Sequence, residues 1–104
     1  MIQFTVKYMA FPEDLRGKTL GTTIESTNID DRFVILIDST RTPEVQKQTV
    51  KHELAHIFLN HFHQPWKTEA QREAEAEEKA IMMTDEEMYS LLRMAVNIRQ
   101  EVAG

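Results

Sequence analysis

The hydrophobic periodicity of the chain changes once, near Thr42, and this change limits the folds that the chain can adopt. Before this point apolar and polar residues alternate, as they do over residues 2–8, with the period of a strand that buries one face. After it, apolar residues recur at spacings of three and four, as on the buried face of a helix. The pattern therefore predicts an α+β fold in which strands come first and helices follow.

Three segments near the start of the chain have the character of strands. Apolar and polar residues alternate over residues 2–8, and Arg32–Asp38 is a run of strand-forming residues. Residues 20–24 are a weaker candidate, with Gly17 before them and Gly21 among them. The connections between them look too short for parallel crossovers, which need about a dozen residues or more. The sequence therefore predicts a three-stranded, mainly antiparallel sheet over residues about 2–40.

Helix start signals divide the rest of the chain into three helices. Thr-Pro-Glu at 42–44 supplies a capping hydroxyl, a proline at the first helical position and an acid in the first turn. This order predicts a first helix over about 43–62, which Pro65 ends. Capping-box patterns predict two further helices, a second over about 68–83 and a third over about 85–102.

Composition and charge exclude several classes of protein. A chain of 104 residues is long enough for one compact domain, so residues 1–104 are expected to form a single unit. The net charge of -5 argues against direct binding of nucleic acid, which usually needs a basic face. The chain has no cysteine, so a metal would be held by histidines and carboxylates. It also lacks an apolar run of membrane-spanning length and a signal-peptide pattern, and we expect a cytoplasmic location.

The first predicted helix carries the motif His52-Glu53-x-x-His56. Residues four apart stack on one helix face, so His52 and His56 can direct their imidazoles at one point and share a metal ion. Glu53 lies about 100° further round the helix, beside the metal but outside its coordination. There it can take a proton from water activated by the metal. The competing interpretation, two histidines with ordinary local hydrogen bonds, explains this combination less well.

A tetrahedral catalytic zinc needs a third protein ligand, and the sequence leaves this ligand open. Glu73 shares a face of the second helix with alanines that would let another helix approach closely, and Glu77, one turn further on, is its rival as ligand or as a partner of the ligands. His61 and His63 are expected at a solvated helix end, where the helix dipole favours a cationic side chain. Two further acids of the second helix, Glu75 and Glu78, are expected to form a solvated face.

From about residue 33 to about residue 88, the chain resembles the ImmA/IrrE family of zinc metallopeptidases. The likeness is carried by His52-Glu-Leu-Ala-His56 and by Glu73-x-x-Ala76-x-x-x-Ala80-x-x-Met83. It implies a minimal zincin-like, gluzincin-like fold with one Zn²⁺ per chain. The residue roles that it implies are zinc binding by His52, His56 and Glu73, and acid–base catalysis by Glu53. Glu77 stands where the family typically has Asn or Asp, which would orient a ligating histidine.

Two functions follow from these observations. The first is a zinc peptidase acting on a protein or peptide, and the resemblance implies a helix-turn-helix repressor of a mobile element or stress regulon as substrate. Residues 33–37 would then form the cleft rim and pair with an extended substrate. The second is a catalytically weak or inactive interaction module with the same shape. A third, weaker alternative, a SprT-like protease acting near DNA, expects a basic surface. Donors to the developing oxyanion are left unranked among four candidates, Tyr8, His61, His63 and Tyr89.

Overall fold

The computed structural model describes residues 2–29 and 31–94. Within them three strands precede three helices, and a short 3-10 helix follows the first helix. The strands are β1 (Gln3–Met9), β2 (Gly21–Glu25) and β3 (Arg32–Asp38). The helices are α1 (Pro43–Phe58), the 3-10 helix (His61–His63), α2 (Glu69–Met82) and α3 (Asp85–Leu92). The predicted α+β class, with its strands before its helices, is confirmed.

The sheet is mixed, with the strand order β1-β3-β2. β2 pairs with β3 in antiparallel orientation, whereas β1 pairs with β3 in parallel orientation, from Gln3 opposite Arg32 to Met9 opposite Asp38. The prediction that the connections are too short for parallel pairing was wrong for β1, because β1 pairs with β3 and not with β2, the next strand along the chain. The chain between β1 and β3 includes the whole of β2, which gives it the length that a parallel crossover requires. β3 is therefore the central strand, and β2 lies at an edge.

The core lies between the sheet and α1. Phe33, Ile35 and Ile37 alternate along β3 with less buried residues and are at most 3% exposed, so one face of the strand points inward. They pack with Leu54 and Ile57 of α1. Further members of this cluster come from β1, from α1 and from the residues around α3: Phe4, Val50, Met83 and Met88.

The first helix begins as predicted and ends earlier than predicted. The Thr42 hydroxyl accepts a hydrogen bond from the Val45 N–H, with Pro43 in the first turn. The helix ends at Phe58 rather than near residue 62, because Asn60 adopts a left-handed conformation with φ of 61°. Asn tolerates this conformation better than most residues. The chain therefore turns back before Pro65, which was expected to end the helix.

The second and third helices start with the predicted capping boxes. The hydroxyls of Thr68 and Thr84 each accept a hydrogen bond from the backbone N–H three residues later. The side chains of Gln71 and Glu87 accept hydrogen bonds from the backbone N–H of Thr68 and of Thr84 in turn. Within the described residues the third helix runs from Asp85 to Leu92, and residues 95–102 of the predicted helix lie outside them. Within the described part of the chain, no helix has the length and apolar character needed to cross a membrane.

Candidate metal centre

Helix α1 brings the two motif histidines together. His52 and His56 lie one turn apart, and their Nε2 atoms are 3.2 Å from each other. Their side chains are 21% and 12% exposed, so both imidazoles stand at the edge of the core with their Nε2 atoms accessible from the direction of α2. The spacing of four residues produces this convergence, because side chains at i and i+4 share a helix face.

Glu73 of α2 reaches the same point. Its Oε1 atom lies 3.3 Å from His52 Nε2, and its Oε2 atom lies 2.6 Å from His56 Nε2. Two donor atoms of a tetrahedral zinc lie about 3.3 Å apart when each bond is about 2.0–2.1 Å long. The distance of 3.2 Å between the two Nε2 atoms and that of 3.3 Å between His52 Nε2 and Glu73 Oε1 agree with this value. The distance of 2.6 Å between His56 Nε2 and Glu73 Oε2 is that of a hydrogen bond. Two neutral imidazoles and a carboxylate are also a donor set that suits zinc, so these residues fit the metal.

Glu77 contacts the opposite side of one imidazole. Its Oε2 atom lies 3.2 Å from His52 Nδ1, whereas Glu73 faces the Nε2 atoms. A carboxylate at the Nδ1 position accepts the ring proton and fixes which nitrogen is left free. The two glutamates that the sequence left as rivals thus occupy different positions: Glu73 lies at the convergence point, and Glu77 lies behind His52.

Glu53 is buried beside the histidines and held by a strand. It is 8% exposed, and the Thr23 hydroxyl of β2 donates a hydrogen bond of 2.7 Å to its Oε1 atom. A ligand atom of Glu53 and one from each of His52 and His56 lie within 4.8 Å of one another. Burial raises the pKa of Glu53 above its ordinary value, and the bond from Thr23 opposes the shift. A carboxyl with a raised pKa is suited to accept and return a proton.

The environment of His56 favours its neutral form. Burial, together with the neighbouring imidazoles of His52 and His61, lowers the pKa of His56 to about 4, although the Glu73 carboxylate acts in the opposite direction. A neutral imidazole has a nitrogen lone pair that can bind a metal, which a charged one lacks.

His61 is not at a solvated helix end, as the sequence suggested. The turn at Asn60 folds it back, so that its side chain is 2% exposed and its Nδ1 atom lies 2.9 Å from His56 Nδ1. Its Nε2 atom lies 2.8 Å from Glu75 Oε1. Lys67 contacts both oxygens of Glu75 at 2.9 Å, and Lys67 and His61 lower the pKa of this carboxyl. Glu75 is therefore part of a network around the histidines and not of a purely solvated face.

His63 points away from the site towards the sheet. Its Nε2 atom lies 2.8 Å from Glu25 Oε2 and 3.7 Å from Asp31 Oδ1, and its side chain is 36% exposed. Burial raises the pKa of Glu25, but hydrogen bonds from His63 and from the Asp31 N–H outweigh it and hold the pKa below its ordinary value. These contacts join the turn between β2 and β3 to the 3-10 helix.

Two open clefts of about 620 Å³ and about 780 Å³ meet at the site. Both are bordered by Gly21 of β2 and by the side chains of Glu53 and Glu73. β2 approaches α1 closely here: a Cβ atom on Gly21 would lie 2.6 Å from Thr49 Cγ2. The rim strand is therefore β2, and the expectation that residues 33–37 form the rim was wrong because β3 is paired on both sides. The tyrosines considered as oxyanion donors, Tyr8 and Tyr89, line neither cleft.

Three residues of this site were missed by the sequence analysis. Thr23 contacts Glu53 across 30 positions, and nothing in the local sequence marks such a contact. His61 was placed wrongly because Pro65 was taken as the end of the helix, although Asn60 was a signal for an earlier turn. Glu75 was assigned to a solvated face because it lies in an acidic run, and that run does not reveal its contacts with His61 and Lys67.

The fold and the site together define a small α+β domain with a histidine–carboxylate cluster of the metallopeptidase type. The model of the family Peptidase_M78, IrrE N-terminal-like domain, matches residues 11–103, and the chain belongs to this family. The match confirms the resemblance inferred from the motif. Comparisons with curated proteins and with solved structures gave no match.

Proposed function

We propose that the protein is a zinc-dependent peptidase with one zinc ion per chain, bound by His52, His56 and Glu73. The observation that carries this proposal is the contact of both Glu73 oxygens with the two histidine Nε2 atoms, at 3.3 Å and 2.6 Å. Membership of a peptidase family supports it independently. Glu77 is assigned the role of orienting His52 through its Nδ1 atom.

Glu53 is the proposed general base and acid. A bound zinc supplies Lewis-acid chemistry, lowering the pKa of water and polarising the scissile carbonyl. Glu53 takes the proton of the attacking water and later delivers it to the leaving amine. The hydrogen bond from Thr23 keeps the carboxylate aimed at the shared cleft while burial raises its pKa. Because Glu53 is outside the proposed ligand set, its role can be separated from metal binding.

The proposed substrate is an extended segment of a protein. β2 is an edge strand, so one side of it is available to pair with a peptide backbone. Its residues 21–23 border the cleft that contains Glu53, which would bring a paired peptide alongside the base. The family resemblance implies a helix-turn-helix repressor as this protein substrate, and the net charge of -5 gives no support for direct contact with nucleic acid. A cytoplasmic location is part of the same proposal.

Metal analysis of three proteins tests the ligand set. Wild type, Glu73→Ala and Glu77→Ala are purified in parallel, supplied with zinc, dialysed and measured by elemental analysis. We expect about one zinc per chain in the wild type, as four-coordinate catalytic sites hold. Glu73→Ala loses it, and Glu77→Ala retains it with reduced affinity. Equal retention by both variants would contradict the assignment of Glu73.

Glu53→Gln tests the reaction. We expect this variant to hold zinc as the wild type does and to lose cleavage of a fluorogenic peptide mixture, because Gln cannot take the proton. A wild type that binds zinc but cleaves neither this mixture nor a denatured protein would favour an inactive interaction module. A wild type that binds no zinc would overturn the peptidase proposal.

A further inference from the structure

Behind the candidate metal centre, a line of contacts leads from His56 through His61 to Glu75 and Lys67. His56 Nδ1 lies 2.9 Å from His61 Nδ1, His61 Nε2 lies 2.8 Å from Glu75 Oε1, and Lys67 Nζ lies 2.9 Å from both Glu75 oxygens. We propose that His61 is a positioning residue that holds the His56 imidazole for zinc, with Glu75 and Lys67 holding His61. This inference rests on the proposed zinc peptidase function and concerns a residue outside its ligand set.

The direction of each hydrogen bond follows from the donors and acceptors present. A neutral His56 that binds a metal through Nε2 carries its proton on Nδ1. Only His61 Nδ1 is in contact with that nitrogen among the described residues, so it accepts the proton. A neutral His61 then has its own proton on Nε2, where it is donated to the Glu75 carboxylate. Every bond in the line therefore has one donor and one acceptor.

The Nδ1 atoms of the two proposed histidine ligands contact different types of residue. Among the described residues, the Glu77 carboxylate faces the Nδ1 atom of His52 directly, whereas the Nδ1 atom of His56 faces His61, which in turn contacts the Glu75 carboxylate. A carboxylate on the far nitrogen raises the basicity of a ligating histidine and fixes the orientation of its ring. The early end of α1 at Phe58 and the turn at Asn60 make this second arrangement possible, because they bring His61 back against His56.

His63 provides a matched control for His61. Both are histidines of the same 3-10 helix, but His63 faces Glu25 and Asp31 and contacts neither motif histidine in the described structure. Replacing each with Phe removes one imidazole from the same short element. A role in holding the 3-10 helix in place would make both changes lower stability. A role in positioning His56 makes zinc binding sensitive to His61 alone.

The test measures the zinc dissociation constant by competition with a chromogenic chelator, together with thermal unfolding of the metal-free proteins. We expect His61→Phe to raise the dissociation constant about 10- to 100-fold, as loss of such outer contacts does. His61→Gln, whose amide oxygen can accept the His56 proton, recovers part of the loss, and His63→Phe leaves the constant unchanged. In the cobalt-loaded protein, His61→Phe alone shifts the visible absorption bands, which report the arrangement of the ligands.

The outcomes separate this inference from the proposed function. A wild type that binds zinc and cleaves peptides, with the same affinity in His61→Phe, would overturn the positioning role and leave the peptidase proposal intact. An equal loss of affinity in His61→Phe and His63→Phe would also overturn it, since the effect would then be structural. A wild type without zinc affinity would overturn both. If His61→Phe does not fold, Glu75→Leu replaces it, because this variant removes the oxygen that accepts the His61 proton: a raised constant supports the role, and an unchanged constant overturns it.

Discussion

At the scale of single residues, the contact between Thr23 and Glu53 links the sheet to the proposed chemistry. Thr23 lies on the edge strand and donates to a carboxylate that is 8% exposed. A buried carboxylate without a donor would shift further towards its protonated form, which cannot take a proton from water. The strand that borders the cleft therefore opposes protonation of the proposed base and holds its carboxylate in place.

Removing this hydroxyl should lower turnover without removing zinc. A hydrogen bond to a charged group contributes about 1.5–3 kcal/mol, which corresponds to a fall of about 10- to 100-fold in kcat/KM for Thr23→Val. Thr23→Ser retains the hydroxyl and should stay close to wild type. Both variants would be compared on the fluorogenic peptide mixture after their zinc content has been matched. Wild-type kcat/KM in Thr23→Val would show that Glu53 does not depend on this donor.

At the scale of elements, small side chains set the distance between α1 and α2. Ala76 and Ala80 are 0% and 3% exposed, one turn apart on α2, and they point into the molecule. Glu73 lies one turn before Ala76 on the same face, so the approach of the two helices decides whether its carboxylate reaches the histidines on α1. The alanines are therefore expected to affect the candidate metal centre through the position of Glu73.

Overpacking this contact should lower both stability and zinc affinity. Ala76→Leu inserts three carbon atoms into a buried contact and is expected to reduce the free energy of unfolding by about 1–3 kcal/mol. Ala74→Leu, at an exposed position of the same helix, is the control and should change little. Urea unfolding of the metal-free proteins measures the stability, and competition with a chelator measures the zinc affinity. The same stability and zinc affinity in Ala76→Leu and Ala74→Leu would show that the close packing of α2 against α1 is not needed for either property.

The starts of the helices could be predicted from the sequence, whereas their ends and partners could not. Thr42, Thr68 and Thr84 act through hydrogen bonds to residues three positions away, so the local sequence contains the whole signal. The convergence of His52 and His56 is local in the same way. The contacts of Thr23 with Glu53 and of β1 with β3 join distant segments. Such contacts depend on the packing of the whole chain, which local patterns do not contain.

At the scale of the whole molecule, Asp38 joins three segments at the end of the central strand. It is 0% exposed, and its Oδ1 atom accepts hydrogen bonds from the N–H of Phe11 and from the N–H and hydroxyl of Thr40. Arg41 donates to its Oδ2 atom at 3.2 Å. Asp38 thus fixes the loop after β1 and the turn before α1. Although burial alone would raise it, these donors together lower the pKa of Asp38 to about 2.

This lowered pKa predicts a loss of stability in acid. The ordinary pKa is 3.8, so the contribution of Asp38 is fully present above that value and is lost as the pH falls through about 2. Asp38→Asn cannot titrate, and we expect it to be less stable at neutral pH and to have a shallower pH dependence between about 4 and 2. Thermal unfolding of metal-free protein over this range measures both. The same slope in wild type and variant would contradict the role of Asp38.

The parallel pairing of β1 with β3 has a consequence for the order of folding. Gln3 pairs with Arg32, a separation of 29 positions, whereas β2 and β3 form a hairpin whose closest pair is Glu25 with Phe33. Closing the longer loop costs more chain entropy, so the hairpin can nucleate before β1 joins it. During synthesis β1 also precedes its partner, and its apolar side chains must wait until β3 has left the ribosome. Of β1 and β3, the strand made first thus waits for its partner, and during that interval its unpaired backbone is open to aggregation.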